Sequence, residues 1–76
     1  SLNDAHPFIR ETLVHMIGTH GLAAVRQTTA TITARFSQHA ADGSIHLDTN
    51  KIRAVSKCLD NALRDAVSWR SRGYDK

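Results

Sequence analysis

The feature that most constrains this chain is one long amphipathic stretch, LDTNKIRAVSKCLDNALRDAVSWRSR, from Leu47 to Arg72. Ile52, Val55, Leu59, Ala62, Leu63, Ala66 and Val67 recur at spacings of three and four. That is the helical period, and it gathers them into one stripe. At ~100° per residue the stripe covers an arc of roughly 140°, the width of a core-facing helix. Asp48 or Thr49 supplies an N-cap oxygen for the first free backbone N–H groups. Arg70 and Arg72 suit the negative end of the macrodipole, and Gly73 is a natural stop. A helix over 48–72 is roughly 36 Å long at ~1.5 Å per residue, so one face needs partners along its whole length.

The opposite face is basic. From Thr49 to Arg72 there are six Lys and Arg against two Asp, and Arg53, Lys57 and Arg64 share one side of the wheel. Asp60 stands four residues before Arg64, the favourable order for a surface pair. Such a face is ordinarily solvated, and its functional use would be contact with phosphates or with an acidic partner.

The rest of the chain must supply those partners from few residues. Seventy-six residues make one small domain, whose unaided stability is marginal. The lone Cys58 rules out an internal disulfide and a cysteine-based zinc cluster; lying beside Val55 and Leu59, it reads as a structural thiol. With four aromatic residues and no metal motif, oligomerisation is the remaining source of stability. No apolar run is long enough to span a membrane and no signal-peptide pattern occurs, so the expected setting is cytoplasmic.

Toward the N-terminus, residues 1–6 read as frayed. Pro7 opens a helix over 7–18, capped by Asp4 or His6, with Ile9, Leu13, Met16 and Ile17 as its stripe and Phe8 at the edge. Gly18-Thr19-His20-Gly21 reads as a turn. As a phosphate loop it lacks the length, the preceding strand and the following Lys-Ser/Thr.

Residues 22–41 carry two patterns. As a helix, Leu22, Val25, Thr29, Ile32, Phe36 and Ala40 share a face. As a strand, 29–36 alternates strictly, and Thr28, Thr29, Thr31 and Thr33 favour it by β-branching. The helical pattern runs about twice as far, and a lone two-stranded ribbon lacks independent stability. The predicted fold is therefore all-α: three helices near 7–18, 22–41 and 48–72, with a single domain over 1–76 and loose ends at 1–6 and 73–76. The alternative is α-β-β-α with a hairpin at about 28–48. The expected core is Phe8, Ile9, Leu13, Met16, Ile17, Leu22, Val25, Ile32, Phe36, Leu47, Ile52, Val55, Leu59, Leu63, Ala66 and Trp69.

Chemistry finds little to build on. Five histidines occur, but none pairs as His-x3-His and there is no HExxH, so no metal is expected. The seven acids include no convincing catalytic pair, and no nucleophile elbow or glycine-rich cradle frames a serine. The expectation is a non-enzymatic interaction or regulatory module without cofactor or small-molecule substrate. It self-associates, as a dimer, through helix 48–72, with Ile52, Val55, Leu59, Leu63, Trp69 and Tyr74 at the interface. The alternative is a small DNA-binding regulator. A helix-turn-helix would use Gly18–Gly21 as its turn and 22–41 as its recognition helix, presenting Arg26 and Arg35; otherwise the stripe Arg53, Lys57 and Arg64 would meet phosphates.

Overall fold

The computed structural model describes residues 1–73 and contains three helices: α1 (Leu2–His20), α2 (Leu22–Ala41) and α3 (Thr49–Ser71). The stretch 28–48 forms no hairpin; α2 runs through it to Ala41, and turn and extended backbone follow. Thr29, one of the residues that favoured a strand, is buried in α2 and donates its hydroxyl to the Arg26 carbonyl at 3.0 Å. A helix thus satisfies this threonine locally, whereas a strand would have required a partner the chain does not provide.

α1 starts earlier than the proline suggests. Its N-cap is Ser1, whose hydroxyl donates to the Asp4 carboxylate at 3.2 Å, and Pro7 lies inside the helix. Lacking an N–H, Pro7 leaves the Asn3 carbonyl without its usual helical donor, so the first turn is held less firmly than the rest. Residues 2–6 are nevertheless helical, and α3 accounts for it: Cys58 Sγ donates to the Leu2 carbonyl at 3.7 Å and His6 Nε2 to Asp65 Oδ2 at 2.9 Å.

The link between α1 and α2 is one residue. Gly21 has φ 87° and ψ 154°, a conformation essentially confined to glycine. Its N–H donates to the Ile17 carbonyl at 2.9 Å and its carbonyl accepts from Val25 at 3.2 Å, so both helix ends are satisfied through the same residue. Gly18, Thr19 and His20, expected in a turn, belong to α1. Across this link the start of α2 lies beside the end of α1, with Ala24 and Thr28 near His20 and Met16.

At the other end of α2, Asp42 Oδ1 accepts from the Ser44 N–H at 2.9 Å, and Ile45 and Leu47 tuck in half-buried before the next cap. Asp48 Oδ1 then accepts from the Lys51 N–H at 2.8 Å, the cap that starts α3. α3 runs parallel to α1, as the successive pairs Leu2–Cys58, His6–Asp65 and Val14–Arg70 show. These two helices share the most extensive interface of the fold.

The core is lopsided. Its buried residues are Leu13, Val14 and Ile17 of α1, Val25 and Thr29 of α2, and Ala62 and Ala66 of α3, all toward the Gly21 end. The two alanines are completely covered, which lets α3 lie close against its neighbours. No residue between 30 and 61 is buried. Phe8 and Ile32, expected in the core, are 72% and 54% exposed, while Val14 and Ala62 take core positions not expected. On α1 the reason is rotational. The ridge His6–Arg10–Val14–Gly18 meets α3, which turns the buried arc toward Val14 and swings Phe8 outward.

Candidate protein-interaction surface

The side chains that join α1 to α3 are specific. The Arg10 guanidinium lies 3.9 Å from the centroid of the Trp69 ring, a cation–π contact. Arg70 Nη1 donates to the Val14 carbonyl at 3.4 Å and passes directly over Gly18. Trp69 thus packs against the chain's own core, and so do Leu59 and Leu63. Of the other interface residues expected on α3, Ile52 and Val55 are half-buried, outside the cluster of buried residues; Tyr74 lies outside the described residues. α1 does not run beside this part of α3: its first residue, Leu2, meets Cys58, and α3 extends nine residues further back, to Thr49.

The basic residues divide. Arg26 and Arg64 come together across α2 and α3, with Asp60, around a hollow of about 240 Å³ floored by Leu63 and Val67. Arg64 also donates to Asn61 Oδ1. Arg53 and Lys57 are exposed, four residues apart, on the first half of α3. Arg35 is exposed near the far end of α2. Nine residues separate Arg26 from Arg35, about 900° at ~100° per residue, so they leave α2 on opposite sides. Gly21 alone stands in place of the expected three- to four-residue turn at 18–21, and Arg26 lies against α3.

Titratable groups are scattered. His39 Nδ1 lies 3.8 Å from Asp42 Oδ2, and the Ser44 hydroxyl and N–H hold the Asp42 carboxyl below its ordinary value, with His39 adding to the effect. This is turn chemistry at an exposed corner. Among the described residues no three His, Cys, Asp or Glu side chains come together as a metal site.

A hollow of about 510 Å³ opens between the start of α1 and α3, lined by Leu2, Asn3, His6, Ala54, Lys57 and Cys58, and two smaller ones lie along α1 and α2. Of these two, one of about 270 Å³ is lined by Met16, His20, Ala24, Val25 and Thr28; a second of about 220 Å³ is lined by Phe8, Ile9, Thr12 and Leu13. Periodicity had pointed to Phe8, but as a core residue at the edge of its stripe. Its exposure is what marks this surface, and it depends on where α3 sits. Among the described residues no helix is long and apolar enough to cross a membrane. Compared with protein-family models, curated proteins and solved structures, the chain matches none.

Proposed function

We propose that this chain is a non-enzymatic protein-interaction module, working in the cytoplasm, that self-associates as a dimer. The observation that carries this reading is surplus surface. The accessible area is 5409 Å² for 8.4 kDa, whereas a compact monomer of that mass exposes about 4,600 Å². The excess, roughly 800 Å², is on the scale of one partner's share of a standard-size interface. Phe8 and Ile32 stand exposed outside the core, apolar surface that a second copy would cover. On helix 48–72 the side chains still open to such a partner are Ile52 and Val55.

Sedimentation equilibrium at tens of micromolar tests this directly. The expected mass is twice 8.4 kDa, falling toward 8.4 kDa on dilution. A mass of 8.4 kDa throughout would remove the reading.

The second reading, DNA binding, is favoured by one observation: Arg53 and Lys57 stand exposed and adjacent on the same side of α3. It requires binding to duplex DNA that weakens steeply with salt and is lost in Arg53→Ala/Lys57→Ala. Salt-insensitive or absent binding would leave that face as solvated surface.

A further inference from the structure

Self-association leaves open which face is shared, and α1 and α2 carry a pattern that answers it. On α1, Phe8, Thr12, Met16 and His20 form an i, i+4 ridge; on α2, Ala24, Thr28, Ile32 and Phe36 form another. Ten Lys/Arg and seven Asp/Glu occur in the chain, and none falls on either ridge. Six of the eight positions are exposed, and Met16 and Phe36 are partly so. No α3 residue lines either of the two hollows along this surface. Freedom from charge across two exposed ridges is the composition of an interface centre rather than of solvated surface.

We infer that this α1/α2 face is the two-fold interface, with Phe8 of each copy seated in the other copy's hollow formed by Met16, His20, Ala24, Val25 and Thr28. The inference rests on the self-association proposed above and fixes its geometry. An isologous contact needs a knob and its receptor on the same face of one chain. Phe8, 72% exposed, is the knob, and the hollow of about 270 Å³ is the receptor. Thr12 lies midway between Phe8 and Met16 on their common ridge. A two-fold axis beside Thr12 makes the two α1 helices antiparallel and sets Phe8 opposite the partner copy's Met16, and the reverse.

Phe8 and Met16 are about 12 Å apart along the axis at ~1.5 Å per residue, so both insertions are made at once. Thr12, small and uncharged, lets the helices approach at the crossing. Arg26, Arg53, Lys57 and Arg64 lie on or against α3, and Arg35 borders the α2 ridge, so the net positive charge does not oppose pairing across the uncharged ridges.

A residue on a two-fold axis meets its own copy, which makes cysteine cross-linking the decisive experiment. In a Cys58→Ala background, Thr12→Cys and Val55→Cys are oxidised separately and run on non-reducing gels. In parallel, wild type, Phe8→Ala and Thr28→Arg are followed by sedimentation, with helicity checked by circular dichroism. Thr12→Cys is expected to cross-link and Val55→Cys not. Phe8→Ala and Thr28→Arg are expected to weaken the dimer at least tenfold while keeping their helicity, because neither side chain is in the buried core. A dimeric wild type in which Val55→Cys cross-links instead, or whose mass Phe8→Ala and Thr28→Arg leave unchanged, overturns the α1/α2 face and returns the interface to α3. A monomeric wild type overturns the self-association reading itself.

Discussion

Two glycines three residues apart do opposite things. Gly21 sits at φ 87° and ψ 154°, where a β-carbon is strained whatever the space around it. Gly21→Ala is expected to lower stability by about 1–3 kcal/mol. Gly18 is an ordinary helical residue, and an added β-carbon would meet Arg70 Nη1 at 2.8 Å. That atom is the tip of a flexible side chain whose bond to the Val14 carbonyl is long, at 3.4 Å. The gain from alanine in a helix interior, about 0.5–1 kcal/mol, should therefore win, making Gly18→Ala stabilising. Urea unfolding of both variants checks the signs; a destabilised Gly18→Ala would mean that the Arg70 contact outweighs helix propensity. The sequence showed a break near these glycines but not its form. Nothing in Gly-Thr-His-Gly says that three of the four residues stay helical and one alone makes the turn.

Elements were more legible than their surroundings. The span of α2 could be read because a helical pattern of twenty residues outweighs an eight-residue alternation, and the Asp48 cap is a local signal that local chemistry fulfils. What periodicity could not supply is direction. It gives the apolar arc of α1 but not which neighbour claims it; α3, arriving from far along the chain, covers the side with Val14 and leaves Phe8 out. Trp69 is similar, since the Arg10 that lies over its ring is 59 residues away. The uneven core has a consequence for local stability. Amides of 13–17, 25–29 and 62–66 surround the buried cluster, whereas α2 beyond residue 30 contains no buried residue. In dilute solution, hydrogen exchange should be slowest in the first set and markedly faster over 30–41. Uniform protection along α2 would contradict this.

At the scale of the whole molecule, fold class and helix number follow from three periodic segments, but shape does not. The extents of 41 × 24 × 13 Å and the radius of gyration of 13.3 Å describe a flat body; a compact chain of this length would have about 11 Å. The core fills one half only, and under the proposed self-association folding and association are linked. If exposed apolar surface on α1 and α2 is covered by a second copy, the dimer is stabilised by mass action and the monomer is not. A tenfold rise in concentration then adds about 1.4 kcal/mol per dimer, or about 0.7 per chain, and should raise Tm by roughly 3–6 °C in a domain this small. Because neither ridge carries a charged residue, the same shift should persist in high salt, where pairing held by surface ions would fade. Calorimetry over a hundredfold range of concentration, at low and high salt, separates the cases. A constant Tm would show that the lopsided core suffices alone, and a shift that vanishes in salt would place the contact on the charged faces of α3 instead.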